Sequence, residues 1–468
     1  MICNFEELCQ HVRAEFDKEW KTTTEIDKND RLEREKGAIL GLERDMEFYK
    51  NQIRGIIDML MSESDMSRQM LSDIIPAWFP DAVEGVFAEL YGLAGLSPWV
   101  YDQKEEYKES SSAKLIGERL YFLIDGVAQL QPQKISVQRR EQLKRALLLA
   151  SPKERLEKGF HELYLNNGIR VTIYSGEKTK KGQEVMVFRK YLIKKLTFEK
   201  IAEMGTIPFE AIDLFKAMIK TGYNVLFAGP VRSGKTTFMQ LWQSYEDPLL
   251  EGLAISTDPE TPWHEIMPLS PIMQLVVDGD ELEEITKSLL RGDNDYILLE
   301  EMRDAAGFRF ALDITCLGTR RSKGTVHIRD AVDLPYRMAD KIKSRYGGDL
   351  QGIILQVFKN FDYVFEFCND HEDRSKKILR SISEYCYSHE EDRVSVHRIC
   401  KYMPETKQWH WSNHFGEDKK QKGLLYPGEI RFMENKLNEL KRRNPIIGNS
   451  VIYPRYYHPS MKAGHEND

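Results

Sequence analysis

The chain has 468 residues, 41% of them hydrophobic and 30% charged, with a formal net charge of −7. At roughly 100–200 residues per domain, that length accommodates two or three domains with a substantial core. The acidic, mixed-sign balance excludes a protein built around a basic nucleic-acid surface, and no stretch approaches the ~18 uninterrupted apolar residues of a membrane-spanning helix.

Cys3, Cys9, Cys316, Cys368, Cys386 and Cys400 lie far apart. Their spacing argues for a reducing compartment and against a disulfide frame or a zinc site. The N-terminal residues have no basic start followed by an apolar core of signal-peptide length. These features predict a cytoplasmic protein that reaches a membrane only through a partner.

From Asn4 to about Ser64 apolar residues recur at helical spacing, as in Ile39, Leu42 and Met46 and then Ile53, Ile56, Ile57 and Leu60. This predicts amphipathic helices, which either pack on their own domain or dock a partner. From about Leu71 to Tyr191 the pattern becomes mixed. Asp125-Gly126 and Asn167-Gly168 each interrupt apolar runs and predict two β-hairpins, with a helix over Arg139–Leu149 between them. Tyr107–Lys114 and Gly176–Gly182 have the polar composition of exposed loops. Leu192–Pro208 reads as a connector. From Phe209 strands and helices alternate as in a parallel sheet, with strand candidates at Asn224–Ala228, Leu253–Ser256, Tyr296–Leu299, Gly324–His327 and Tyr363–Cys368. Ile378–Tyr387 faces Val394–Tyr402, and the polar tail after Tyr456 reads as frayed. Trp409 and Trp411 read as packing residues.

The strongest chemical signal is Gly229-Pro230-Val231-Arg232-Ser233-Gly234-Lys235-Thr236, set between an apolar strand and a helix-like run that begins at Thr237. A loop of this pattern points backbone N–H groups and a helix N-terminus at a β-phosphate. Lys235 would bridge the β- and γ-phosphates of ATP, and the Thr236 hydroxyl would take a Mg²⁺ position. About sixty residues on, Asp295-Tyr-Ile-Leu-Leu-Glu300-Glu301-Met-Arg303 is an apolar strand ending in acids. Carboxylates at the end of a neighbouring strand are placed to hold Mg²⁺ through water or to polarise the attacking water, and Glu301 is the candidate. Without the loop, such an acidic strand end would read as a solvated cap.

Three further segments carry a resemblance to the type II/type IV secretion and pilus-assembly ATPase superfamily. Leu289-Leu-Arg291 with Asp295–Arg303 resembles its Walker B region, Ala254–Glu260 its acidic Asp box, and Gly318–His327 its His box. Phe188-Arg189, Leu196–Gly205, Asn167–Val171 and Leu90–Pro98 are similar to the tight-adherence (Tad) pilus branch, as is Tyr402–Trp409. The resemblance runs from about residue 85 to 412. It implies an α/β fold in which a RecA-like P-loop motor domain follows a smaller α+β domain and an N-terminal helical segment. Taken with the patterning outside that span, the expected boundaries are a helical extension over 1–70, which the resemblance does not account for, an α+β domain over 71–191, a linker over 192–208, a motor over 209–412 and a C-terminal extension over 413–468.

By the same resemblance the protein is an ATPase, a hexameric ring that acts on a polytopic inner-membrane platform protein, while the acidic balance and the lack of a basic aromatic stripe speak against nucleic acid. Its runner-up roles are a conjugation or effector-secretion motor, or a nucleotide-gated subunit with little hydrolysis. Arg170 and Arg189 are implied as arginines that act on a neighbouring subunit's nucleotide, with Arg291 and Arg303 as supports. His327 is implied as a γ-phosphate sensor, although a strand-end histidine equally suits a structural role. Where the family has adjacent Glu-Asp, this chain has Thr257-Asp258, so the water-activating acid is Glu260, Glu265 or Glu301, or is absent. Thr319 stands for the first His-box histidine, Arg320-Arg321 for Asp-Gly, and Asp304 for a glycine. These departures are expected to lie near the γ-phosphate or a subunit contact.

Overall fold

The computed structural model describes residues 2–20, 25–63, 67–149, 159–190, 196–257, 261–277, 279–373 and 375–458. The chain divides into two compact units, Met1–Leu192 and Ile193–Asp468.

The first unit opens with helices Phe5–Trp20, Glu25–Leu40 and Glu43–Glu63. Leu8, Val12 and Phe16 recur every four residues and are wholly buried, against Tyr49, Ile53 and Ile57. At about 1.5–3 kcal/mol for each fully buried side chain, that stripe is a large contribution to holding the first helix on the third. The apolar pattern is thus buried within its own unit, while Leu42, in the turn between two helices, remains exposed.

The sheet of this unit has strands β1 (Ser112–Ile116), β2 (Arg119–Ile124), β3 (Val127–Lys134), β4 (Phe160–Tyr164), β5 (Arg170–Tyr174) and β6 (Val185–Arg189), in the order β3-β2-β1-β6-β5-β4. All its pairings are antiparallel. Asp125 and Gly126, with φ of 50° and 77°, turn β2 into β3, and Gly168 at 77° lies in the turn from β4 to β5. Positive φ at both central residues matches the strands' right-handed twist, which is why Asp-Gly is favoured there. Leu120, Phe122, Val171, Ile173, Met186 and Phe188 alternate onto one face beneath the helix Val137–Leu149.

Tyr107–Lys114 is not the exposed loop its serines suggest. Tyr107 is buried, the Ser110 hydroxyl accepts from Trp99 Nε1 at 2.7 Å, and β1 begins at Ser112. A polar run can lie inside when an indole N–H needs an acceptor.

The second unit contains β7 (Val225–Ala228), β8 (Gly252–Ser256), β9 (Ile272–Val276), β10 (Tyr296–Met302), β11 (Lys323–Val326), β12 (Tyr363–Asn369), β13 (Lys377–Ser388), β14 (Arg393–Met403), β15 (Gln408–Trp411) and β16 (Val451–Ile452). They form one sheet in the order β15-β14-β13-β12-β7-β11-β10-β8-β9, with β16 beside β14. From β12 to β9 the strands are parallel, and from β13 to β16 antiparallel. The central strand β7 is buried along its whole length, as a parallel strand covered by helices must be. Phe227 and Phe365 face one helical layer with Phe215, Phe238 and Trp242, whereas Leu226 and Val364 face the other. Within the predicted connector, Phe198–Glu203 form a helix whose wholly buried Phe198 joins the first of these layers.

The sequence reading missed β9. It lies at the sheet edge after Pro271, with three of its five residues half-buried and two exposed, and so short an apolar run does not by itself tell strand from helix. Among the described residues no helix is long and apolar enough to cross a membrane. The six cysteines are free thiols.

Candidate functional site

Loop 229–234 leaves the C-terminal end of β7, and the helix Lys235–Ser244 begins directly behind it. Gly229 has φ 148°, and a Cβ there would lie 2.3 Å from the Phe367 carbonyl oxygen, so only glycine fits. Gly234 has φ 87° and Arg232 φ 62°, an unusual conformation for a non-glycine residue. Such backbone strain persists where surrounding structure over-determines it, commonly at ligand-binding loops. The Ser233 hydroxyl is buried, without a hydrogen-bond partner among the described residues. Pro230, Val231 and Thr237 are exposed, and Thr236 is half-buried.

Lys235 is 5% exposed; its ammonium donates to the Pro230 carbonyl at 2.8 Å and lies 3.4 Å from His327 Nδ1. His327 Nε2 lies 2.8 Å from Glu301 Oε1, and Glu301 Oε2 pairs with Arg303. A continuous chain of polar contacts therefore runs from the loop lysine across the C-terminal ends of β11 and β10. Parallel α/β sheets place their ligands at that end of the strands.

Glu301 reaches this chain because β10 is irregular there. Its φ is 60°, the β10–β11 register shifts between Leu299 and Met302, and the Glu301 N–H donates to Thr325 Oγ1 at 2.7 Å. Glu300 is separated from it, buried and accepting from Trp263 Nε1 at 2.8 Å. Burial alone would raise the Glu301 carboxyl pKa, but the His327 hydrogen bond and the Arg303 bond and charge bring it down to about 2. Glu301 is thus a carboxylate at neutral pH, an acceptor and a negative charge and only a weak base. A cleft beside it is lined by Ser256, Thr257, Glu300 and Arg303.

The donors gathered here are hydroxyl and carboxylate oxygens of Thr236, Ser233 and Glu301, the chemistry that Mg²⁺ requires. Hard oxygens beside a buried lysine and a glycine-shaped loop fit Mg-ATP.

Two groups near the loop were not anticipated. Thr325 fixes the Glu301 backbone. Lys377, at the start of β13, lies 3.4 Å by its Cγ from a Cβ built on Gly234 and donates to Asn369 at 3.0 Å. Burial, then the Arg232 charge, lowers the Lys377 pKa. No local pattern marks Lys377, because only the β12–β13 hairpin returns it to the loop.

Other predicted residues lie elsewhere. Asp258 and Glu260 fall outside the described residues. Glu265 is exposed beside His264 at 3.6 Å, and Arg291 is exposed after the helix Gly279–Leu289. In the first unit, Arg170 and Arg189 are partners in register on β5 and β6, and Arg170 pairs with Glu162 at 2.5 Å.

The substitutions at 320 and 321 lie away from the Lys235, His327 and Glu301 group, which leaves a subunit contact of the two settings expected for them. They precede β11, at the opposite end of the strand from His327. Arg321 donates to the Ile219 and Lys220 carbonyls at 3.0 and 2.8 Å, and Arg320 to Thr221 at 2.9 Å. These contacts satisfy the C-terminal carbonyls of the helix Ile212–Thr221, where its dipole favours cations.

Asp304 serves a helix end too, since its Oδ1 accepts from the Gly307 N–H at 2.8 Å and caps the helix Ala305–Cys316. Asp304→Ala is therefore expected to destabilise the fold by about 1 kcal/mol. Urea unfolding checks this, and an unchanged midpoint would refute the capping role.

Residues 178–423 match the family model described as "Type II/IV secretion system protein". A search of curated proteins returns no match. Solved structures similar to this chain include the VirB11 ATPase from the Brucella suis type IV secretion system in complex with sulphate, at 16% identity and TM-score 0.34 over 62% of this chain and 92% of that one. The pilus retraction motor PilT with bound ADP gives 16% identity and TM-score 0.45 over 74% and 93%. The Legionella pneumophila ATPase DotB gives 15% and 0.43 over 75% and 89%. With more than half of its length inside the family model, and with the phosphate-type loop, the acidic strand end and His327 all within that span, the chain belongs to the type II/IV secretion system protein family.

Proposed function

We propose that this protein is a Mg-ATP hydrolase that works as a ring, expected to be hexameric, and powers pilus assembly or protein secretion through a polytopic inner-membrane platform protein. In this reading it belongs to the Tad pilus branch, which the resemblance of Phe188-Arg189, Leu196–Gly205 and Asn167–Val171 supports. The observation that carries the proposal is the contact chain Lys235, His327, Glu301 and Arg303 beside a loop that only glycine can close.

In this reading backbone N–H groups of 229–237 hold the phosphates, and Lys235 turns from the Pro230 carbonyl to the γ-phosphate. Thr236 and, through water, Glu301 hold Mg²⁺, which when bound neutralises phosphate charge. Glu301 orients the attacking water, and His327 couples that carboxylate to the lysine. Arg170 and Arg189 act on a neighbouring subunit's nucleotide, neutralising charge in the transition state. Glu260 is a second candidate for positioning water. A slower, nucleotide-gated subunit is the other reading, favoured by one feature: Glu301 is already engaged by both His327 and Arg303, which makes it a poor base.

Steady-state Mg-ATP hydrolysis measured against protein concentration, with oligomer size in parallel, tests both. Activity that rises with assembly and vanishes in Lys235→Ala supports the ring motor, and Glu260→Gln then settles that residue. ATP binding with no turnover above the Lys235→Ala background in any assembled state overturns the motor in favour of the gated subunit.

A further inference from the structure

Far from the loop, the β13–β14 hairpin and the segment after β15 bring together a set of groups that ATP chemistry does not use. Glu384 and Cys386 alternate to one face of β13, and Glu384 stands opposite His397 on β14. Cys386 stands opposite Ser395. His414 arrives from the segment that follows β15.

Cys386 Sγ lies 3.5 Å from His414 Nε2, and both lie 3.1 Å from the same carboxylate oxygen, Glu384 Oε1. The His397 and His414 rings stack with centroids 3.5 Å apart and planes at 11°. One ligand atom from each of Cys386, His397 and His414 falls within 4.8 Å of the others. Around a tetrahedral Zn²⁺, with Zn–S about 2.3 Å and Zn–N about 2.0–2.1 Å, ligand atoms stand roughly 3.3–3.7 Å apart. Cys386 Sγ and His414 Nε2 already stand at such a spacing, and His397, within 4.8 Å, closes on the ion by a turn of its ring out of the stack.

The remaining contacts orient the donors. Ser395 Oγ lies 2.9 Å from His397 Nε2, while His397 Nδ1 is buried without a hydrogen-bond partner among the described residues. A histidine held through one nitrogen with the other left over is how metal-binding imidazoles are oriented. Glu384 is wholly buried, and its Oε1 accepts from the Gly416 N–H at 2.8 Å, which aligns it with the His414 segment.

We propose that Cys386, His397 and His414 form a three-residue structural site for Zn²⁺, with the buried Glu384 carboxylate beside it orienting the Cys386 thiol and His414. One thiolate, one carboxylate and two neutral imidazoles balance the ion's charge, as a buried site requires. Burial beside Glu384 holds the Cys386 thiol protonated without metal, so binding forms the Zn–S bond and releases that proton to solvent. The ion would clamp the β13–β14 hairpin to the segment leading into the helix Pro427–Arg443. Met433, Leu437 and Leu440 of that helix lie in the same core as Phe215 and Phe238.

The test is an anaerobic Co²⁺ titration of the full chain in a Cys3→Ser, Cys316→Ser background, which removes the two exposed thiols. The expected result is one equivalent bound with the visible bands of tetrahedral cobalt and a sulfur-to-metal charge-transfer band, all displaced by Zn²⁺. Cys386→Ser should remove the charge-transfer band, and His414→Ala should weaken Co²⁺ binding about tenfold or more. A background protein without that band, or a Cys386→Ser variant that keeps it, overturns the site. Because the background protein decides the first of these outcomes by itself, a Cys386→Ser variant that fails to fold does not leave the question open.

Discussion

Replacing Glu301 with glutamine is expected to lower kcat for Mg-ATP hydrolysis by about a hundred- to a thousand-fold, the usual effect of removing one positioned group from a reacting centre. Nucleotide affinity should stay within a few-fold of wild type, because Lys235 and loop 229–234 are untouched. The change is nearly isosteric, so His327 and Arg303 keep a partner at that position while the negative charge is lost. Turnover within threefold of wild type would remove Glu301 from the reaction.

The same residue makes a pH prediction. Its folded-state pKa, about 2, lies below the ordinary 4.5, so the stability it contributes is fully present above about pH 4.5 and is lost as pH falls through 2. Denaturant midpoints of wild type and Glu301→Gln should therefore converge as the pH is lowered from 5 to 3. Protonation of Glu301 should leave no limb in the kcat profile above pH 5. A limb near neutrality that disappears in Glu301→Gln would show that ATP breaks the His327 and Arg303 contacts and raises this pKa.

Glu246→Ala is expected to cost about 3–5 kcal/mol, the range for breaking a buried pair and leaving one charge behind. Glu246 follows the helix Lys235–Ser244, and its carboxylate joins Lys323 at 2.6 Å and Arg321 at 2.5 Å. Lys323 is fully buried and also donates to Gln243 at 2.7 Å. Burial lowers the Lys323 pKa, with the Glu246 charge opposing that shift. Without Glu246 the ammonium has no counter-charge in a dry setting. Lys323→Met should cost clearly less, because Glu246 keeps Arg321 and the new side chain packs apolar. Urea unfolding of the two variants checks the order, and a Glu246→Ala cost under about 1 kcal/mol would show that the triad contributes little.

Much of the α/β architecture was legible locally. Val225–Ala228 is an uninterrupted apolar run, Asp125-Gly126 has the residues a tight hairpin needs, and the glycines at 229 and 234 punctuate a strand-to-helix turn. In each case the information lies within a few neighbouring residues. Tyr107–Lys114 and β9 were misread or missed because their structure depends on a distant partner, the Trp99 indole in one case and a neighbouring parallel strand in the other.

The candidate site divides along the same line. The loop and Lys235 can be read from spacing, and the acidic end of β10 from its apolar run. Glu301 was the acid expected from the motif, but its contact with His327 could not be read, because it depends on a backbone irregularity held by Thr325, one strand over. Arg320 and Arg321 stand in a motif that suggested the γ-phosphate or a subunit contact, and within this chain they satisfy helix carbonyls at the far end of β11. Lys377 and the Cys386, His397 and His414 cluster carry no local signal, since antiparallel hairpins join residues that are distant in sequence. The sequence by itself determined the elements whose cause is local, namely apolar periodicity, turn residues and the phosphate-type loop. Only the tertiary structure decided which side chains meet, because strand order, register and a single bulge set those distances.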